Sequence, residues 1–366
     1  MINALVIARD KRHQGGVVSF VELLMPNFSA EVRATRFVIS RSPDKHSYWG
    51  ALLVAFRDAI HLIRSERKSH YDIIHINPSL NFNSAVRDGL FIAVLLAIKA
   101  RHIVVFVHGW DAAFAEKIRR NRLARFVAQS LLQPASAILV LATAFKRELC
   151  DWGLDSRKIS VLTMMFDRNL FAGIERQRHC RKIRLLFLSR LIKEKGIHEL
   201  LAAFLLLKNC VPGIELVIAG DGSEFRAVEQ WITEHSLSDK VMLAGYVDGL
   251  NKAQALVDAD IFIFPSYYGE GCPISLLEAM AAGLAIITTA VGGIPDIFSD
   301  GVNGIVLSSV TPASIADATG RLINNEGLLT RIRTRNKQEA WERYEATSVT
   351  RTIEKIYKSI IIQSTR

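Results

Sequence analysis

Short apolar runs alternate with amphipathic stretches along the whole chain, a rhythm that predicts parallel α/β structure. In the first half, residues 4–8, 35–39, 73–77, 103–108, 137–141 and 159–162 read as buried strands, with helices at 20–24, 51–64 and 91–99 between them. The polar stretch 169–182, which holds Arg176, Arg178, His179, Arg181 and Lys182, reads as a linker. A second series follows, with strands at 183–188, 215–219, 241–244, 261–264, 285–288 and 304–306 and helices at 197–207, 225–235 and 250–259. One long helix is expected from about 336 to 362. The expected architecture is two doubly wound domains facing across a cleft, with ligands at the carboxyl ends of the strands. The domains are drawn at 1–172 and 173–345, with a terminal helix at 346–366.

The most informative segment runs from Glu270 to Gly283, where two carboxylates stand across a strand-to-helix turn. The run 261–264, Ile-Phe-Ile-Phe, precedes it as a fully buried strand. Pro273 suits the first helical position and Gly283 the helix end. A helix N-terminus leaving a parallel sheet accepts an anion such as a diphosphate. Glu278, five residues past Pro273, lies roughly 7.5 Å deeper. One carboxylate then sits near a sugar while the other reaches a ribose. A Glu among Leu276, Leu277, Ala279 and Met280 is costly for packing alone.

Composition changes this picture in two places. The net charge is +10. Residues 1–173 carry 24 Lys and Arg against 14 Asp and Glu, and the remainder balances, so the first half holds the whole excess. That asymmetry suggests an anionic partner for the first half, such as acidic lipid, a lipid-linked diphosphate or nucleic acid, unless it is only a solvated surface. Cys150, Cys180, Cys210 and Cys272 are scattered without CxxC spacing, which argues against a disulfide framework or zinc site. No apolar run reaches the length of a membrane span, and the start reads as a strand rather than a signal peptide, so a cytoplasmic protein is expected.

Other segments carry candidate chemistry. Arg190 leaves a strand end and Lys195 precedes the next helix, so the two cations can neutralise charge on a departing nucleotide. Gly220-Asp221-Gly222 permits close ligand approach, or forms a plain turn. Gly15-Gly16 can offer N–H groups to a phosphate. His108, at a strand end before Gly109, can hold a sugar hydroxyl or be satisfied by backbone. Asp258 and Asp260 read as structural rather than metal-binding. Residues 116–132, with Lys117, Arg119, Arg120, Arg122 and Arg125 among Leu123, Phe126 and Val127, read as one amphipathic helix with a basic face.

Together these motifs resemble the retaining, GT-B-fold glycosyltransferases of family 4. The match is dense from Arg190 to about Gly304, through the Ser-Arg-Leu and Lys-Glu-Lys-Gly run, Gly220-Asp221-Gly222, Pro265-Ser266, Glu270 with Glu278, and Gly292-Gly293-Ile294-Pro295. It is looser in the first half, through Gly15-Gly16, His108-Gly109 and Phe166-Asp167 to Phe171. The resemblance implies that Arg190 and Lys195 bind the donor diphosphate and that Glu278 binds the ribose. It implies that Glu270 and the backbone of Gly271, Cys272, Pro273, Ile274 and Ser275 meet the donor sugar and phosphates. His108 would touch the transferred sugar, and Gly16 the phosphate from the facing domain. It further implies retention of configuration with no metal or other cofactor, and a last helix that crosses back to the first domain, with Trp341 and Tyr344 packing there.

The expected function is transfer of a sugar from a nucleotide diphosphate, UDP ahead of GDP, to a glycan or lipid-linked acceptor in cell-surface polysaccharide or glycolipid synthesis. Two alternatives stand beside it: a nucleotide-sugar epimerase on the same fold, and a non-catalytic module that binds anionic surfaces. No nucleic-acid partner is expected for the enzyme. Peripheral attachment to the inner face of the cytoplasmic membrane follows from the first-half charge.

Overall fold

A computed structural model describes residues 1–10, 15–40, 48–177 and 182–364. Arg178, His179, Cys180 and Arg181 of the expected linker lie outside the described residues. The chain divides into two compact units, Met1–Met165 with Ala346–Arg366, and Phe166–Glu345. The division therefore falls at Met165 rather than at 172.

The first unit holds β1 (Ile2–Arg9), β2 (Val32–Ile39), β3 (Ile73–Ile76), β5 (Ile103–Val107), β7 (Ala137–Val140) and β8 (Ile159–Val161) in one parallel sheet. Its order is β2-β1-β3-β5-β7-β8. A short parallel pair, β4 (Ser79–Leu80) and β6 (Gly109–Trp110), lies beyond the ends of β3 and β5. The helices are α1 (Gly16–Asn27), α2 (Tyr48–Ser69), α3 (Phe82–Ala97), α4 (Ala112–Arg120), α5 (Arg122–Leu132), α6 (Thr143–Asp151) and α13 (Ala346–Ser364). Every residue of β3, β5 and β7 is buried, as strands covered on both faces require.

The second unit holds β9 (Arg184–Leu188), β10 (Glu215–Ala219), β11 (Val241–Gly245), β12 (Ile261–Phe264), β13 (Ala285–Thr289) and β14 (Gly304–Leu307). They form a second parallel sheet in the order β11-β10-β9-β12-β13-β14. Its helices are α7 (Ile197–Leu207), α8 (Phe225–Glu234), α9 (Gly249–Asp258), α10 (Ile274–Ala281), α11 (Pro312–Ile323) and α12 (Glu326–Arg343). On α7, Ile197, Leu200, Leu201, Phe204 and Leu207 recur at helical spacing and enter one core with Phe187, Ile218 and Ile315. Strand order reverses between β9 and β12 here, and between β1 and β3 in the first unit. Parallel sheets open a crevice for ligands at such points.

Three sequence expectations need correction. The long helix at 336–362 is two helices, α12 and α13. Tyr344 caps α12, its carbonyl accepts the N–H of Phe166 (3.1 Å), and Glu345 bridges to Phe166. This long-range pairing ends the helix without a local breaker. Trp341 and Tyr344 consequently pack inside the second unit: the Trp341 indole donates to the Ala281 carbonyl (3.0 Å), and its ring meets Phe166 and Phe171. The amphipathic stretch 116–132 is split between α4 and α5 at Asn121, whose Oδ1 accepts the N–H groups of Leu123 and Ala124.

Asp258 and Asp260 anchor the segment leading into β9. Asp258 accepts the N–H of Gln177 (2.9 Å), and Asp260 accepts the N–H of Arg184 (2.9 Å) and pairs with Arg176 (2.6 Å). Among the described residues no helix is long and apolar enough to cross a membrane.

In the first unit α13 meets the sheet through Tyr357, whose hydroxyl lies 2.6 Å from His75 Nδ1, both residues fully buried. Burial pushes His75 down to about 3 from an ordinary 6.5. Between those values the unfolded chain binds a proton that the folded chain does not, so this contribution to stability is full above pH 6.5 and lost as pH falls toward 3. Between pH 6.5 and 5 the wild-type chain should lose roughly 1.5 kcal/mol that His75→Phe does not lose. Urea unfolding at the two pH values measures it, and parallel losses in both proteins would contradict it.

Candidate functional site

The second unit gathers its polar chemistry where the strand order reverses. Ser189 and Arg190 leave β9, while Pro265 and Ser266 leave β12. The chain after β9 makes one short 3₁₀ turn, Lys193–Lys195, before α7 begins. Lys195 is only 4% exposed, yet its ammonium forms an ion pair with Glu270. The Ser266 hydroxyl donates to the same Glu270 oxygen (2.9 Å). The Lys195 nitrogen lies 5.3 Å from the centre of the Phe264 ring and 5.0 Å from that of Tyr268. The Arg190 guanidinium stands 6.0 Å from the same Tyr268 ring centre. Aromatic faces of this kind attract cations electrostatically. Burial holds Lys195 below its usual range, and Glu270 opposes that shift. The result is a sheltered ion pair beside an exposed Arg190.

Two glycines make these approaches possible. Gly292 has φ +58°, and a Cβ there would lie 1.7 Å from the Glu270 carbonyl oxygen, which also accepts the N–H of Gly293 (2.9 Å). The backbone of Glu270 is thereby clasped from below. A Cβ on Gly220 would stand 1.8 Å from the Ser189 carbonyl oxygen. Gly220-Asp221-Gly222 thus backs the Ser189–Leu191 segment, with the Leu191 N–H bonded to the Asp221 carbonyl (2.9 Å). Asp221 is exposed, and its carboxylate accepts the N–H of Gly222 (2.7 Å). The turn is structural in its glycines and exposed in its acid.

Glu270 leads through Gly271 and Cys272 to α10. Pro273 is the N-cap, one place before the expected first helical position, and Gly283 follows the helix end at φ +75°. The cap offers no side-chain bond, and the first turn has no acidic residue. The early N–H groups, including those of Ile274 and Ser275, have no partner one turn back and point out of the helix. This end of α10 is suited to an anion. One turn further, Glu278 is buried and accepts a bond from the Lys252 ammonium on α9 (2.6 Å). Burial raises Glu278 above the ordinary carboxylate range, Lys252 counters, and the nearby Asp167 charge adds to the rise.

Of the sequence-predicted residues, the structure brings Arg190, Lys195 and Glu270 together around Tyr268, with Glu278 on the helix that follows. Gly15, Gly16 and His108 lie in the first unit. Gly15 precedes α1, and both glycines line a cavity of about 220 Å³. His108 is buried: Nε2 lies 2.9 Å from Asn77 Oδ1, and Nδ1 is covered without a partner. The Asn77 amide donates to the Ile7 carbonyl (3.0 Å), which turns its oxygen toward His108. Burial holds His108 well below its ordinary range. Sequence reasoning missed Lys252, Tyr268 and Asn77. Each is defined by a partner distant along the chain, and only Asn77, ending a strand run, carried a signal of its own.

Comparisons with known proteins point in one direction. The family model described as Glycosyl transferases group 1 matches residues 175–339, and that described as Glycosyltransferase Family 4 matches residues 13–168. An uncharacterized glycosyltransferase of Methanocaldococcus jannaschii is 27% identical over 65% of this chain and 63% of its own length. The amylovoran biosynthesis glycosyltransferase AmsK of Erwinia amylovora is 27% identical over 63% of this chain and 57% of its own. The chain thus matches less than two thirds of the length of these relatives. Among solved structures, the sucrose-phosphate synthase of Thermosynechococcus elongatus aligns with a TM-score of 0.77 at 17% identity, over 99% of this chain and 100% of that one. Anabaena HepE in complex with UDP and glucose aligns at 0.72 and 17% identity, over 98% and 100%. At such identity the likeness shows the fold, which is that of the GT-B glycosyltransferases.

Proposed function

This chain, whose two halves match the two domain models, belongs to the group 1, family 4 glycosyltransferases, and from that premise we propose that it moves a sugar from a nucleotide diphosphate to a glycan or lipid-linked acceptor. The donor is a UDP-sugar ahead of a GDP-sugar, a preference supported by the UDP in the HepE complex. The product serves a cell-surface polysaccharide or glycolipid, as the name of AmsK supports. The observation that carries this reading is the convergence of Arg190, Lys195 and Glu270 around Tyr268, on the segment that leads into α10, whose N-terminus has no side-chain cap.

In this reading the diphosphate sits against Arg190, Lys195 and the first N–H groups of α10. As the bond from the anomeric carbon to the phosphate oxygen breaks, negative charge grows on that oxygen, and these fixed positive groups stabilise it. The neutralising charge comes from these side chains rather than from a metal. Glu270, held by Lys195 and Ser266, faces the sugar with the backbone of Gly271 and Cys272, and Glu278 takes the ribose hydroxyls. Both carboxylates are committed to ammonium partners, so neither serves as an attacking nucleophile. The acceptor oxygen then enters on the face the phosphate leaves, which retains configuration, and the departing phosphate takes the acceptor proton. Within the first unit His108 has Nδ1 covered and Nε2 held by Asn77.

A panel of sugar nucleotides tests the reading. One donor at a hundred times its Kd should raise stability by about 2.7 kcal/mol and be turned over with an acceptor. Folded protein that responds to none of them would refute it. An isomerised donor without transfer would favour an epimerase instead.

A further inference from the structure

Helix α9 carries a cation where helices disfavour one. Lys252 stands in its first turn, after Asp248 at the cap, near the carboxyl end of β11. The N-terminus of a helix bears partial positive charge, which favours an anion and penalises an ammonium. Asp248 makes no side-chain bond to the helix, and the first turn holds no acid. Lys252 instead reaches to α10, where its ammonium donates to Glu278 Oε1 (2.6 Å). The two helices have different main neighbours: α9 packs on β9 and on the 3₁₀ turn Arg168–Phe171, and α10 on α12, β12 and β13. The ion pair therefore joins two separately packed elements.

Packing does not demand such a pair. The Lys252 and Glu278 side chains are only 25% and 7% exposed, so both charges have lost most of their water. Apolar residues of similar volume stabilise a position of this kind as well or better. The pair supplies something that apolar residues would not. Glu278 Oε1 is fixed by Lys252, whereas Oε2 has no hydrogen-bond partner among the described residues and is not sealed from solvent. One oxygen is anchored and the other is open. Both helices begin at the carboxyl end of the sheet, where Arg190 and Lys195 also stand. Burial and the Asp167 charge push Glu278 up, and Lys252 opposes them, so the ammonium that holds the carboxylate also keeps it ionised.

We propose that Lys252 is a positioning residue for the donor: it holds the Glu278 carboxylate by one oxygen and leaves the other turned to the ribose 2′-hydroxyl of a nucleoside diphosphate. The inference rests on the assignment of Glu278 to the ribose and deepens it, by naming the group that lets the site tell ribose from deoxyribose. Lys252 acts through Glu278 and does not itself touch the nucleotide.

Calorimetric titration of the full chain with UDP, GDP and their 2′-deoxy counterparts tests it. The wild type should bind the better ribonucleotide about thirtyfold tighter than its deoxy form, the worth of one hydrogen bond to a charged acceptor. Lys252→Met should weaken the ribonucleotide and leave a ratio of about threefold or less, because the carboxylate is no longer aimed or kept charged. Lys252→Arg, which still donates a charged bond to Glu278, should keep most of the wild-type ratio. In a Glu278→Gln chain, adding Lys252→Met should cost no further affinity. Should Lys252→Met fail to fold, Lys252→Gln removes the charge with a polar side chain and is read in the same way. A Lys252→Met chain that keeps the wild-type ratio would overturn the inference, since a purely structural pair would lower stability and leave discrimination alone. A further loss of affinity in the double variant would also overturn it, by placing Lys252 on the nucleotide itself. A wild type that binds a ribonucleotide and its deoxy form equally would take the ribose from Glu278 and sink this inference, leaving the transfer reading standing. A folded chain that binds no nucleoside diphosphate would sink the reading beneath it.

Discussion

Lys195→Ala is expected to lower kcat/KM for the donor by about 10³-fold. Two effects act in the same direction. The ammonium is one of the fixed charges facing the diphosphate, and removing one such preorganised group costs roughly 10²–10³ in rate. It is also the main partner of Glu270, so its loss leaves a half-buried carboxylate beside the phosphates, held only by Ser266. Lys195→Arg should not rescue the rate. The nitrogen is enclosed by Phe264, Tyr268 and Glu270, and a planar guanidinium does not fit a space shaped for a point charge. Steady-state kinetics on variants that retain the wild-type thermal midpoint decide the matter. A rate within fivefold of wild type would remove Lys195 from the mechanism.

Glu278→Gln should weaken donor binding by about 10²-fold with a smaller effect on kcat, because its proposed contact is to the ribose, away from the reacting bond. A structural explanation competes, since Glu278 is buried against Lys252 and breaking such a pair destabilises by roughly 3–5 kcal/mol. The double variant Glu278→Gln with Lys252→Met separates the two. It removes both charges and should recover much of the stability while donor affinity stays low. Recovery of donor affinity together with stability would show that Glu278 serves packing alone.

The central strands β5, β7 and β12 were legible in the sequence because each is an uninterrupted apolar run, as a parallel sheet covered on both faces demands, whereas β2, interrupted by Arg33, Thr35 and Arg36, was legible only in its second half. The turn from Glu270 to α10 was legible as well, since Pro273 and Gly283 punctuate it. The break between α12 and α13 was not, because Phe166, far away in sequence, supplies the bond that ends α12. The break at Asn121 carried a local signal, an amide able to cap the next helix.

Side-chain partnerships were the least legible part of the site. Nothing near Glu278 announces Lys252, which stands on another helix, and nothing near His108 announces Asn77, on another strand end. The glycines show a different limit. The sequence leaves open whether Gly220 admits a ligand or shapes a plain turn, and in the structure a Cβ there would meet the Ser189 carbonyl. Both uses need the same missing Cβ, so composition alone does not separate them.

The central claim is that Arg190, Lys195 and the start of α10 grip the diphosphate of an activated sugar. A crystal structure of the full chain with a bound nucleoside diphosphate tests it most directly. The account predicts phosphate oxygens within hydrogen-bond distance of the Arg190 guanidinium, the Lys195 ammonium and the N–H groups of Ile274 and Ser275, with the ribose on Glu278. A nucleotide bound elsewhere, with Lys195 and Glu270 still facing only each other, would contradict it.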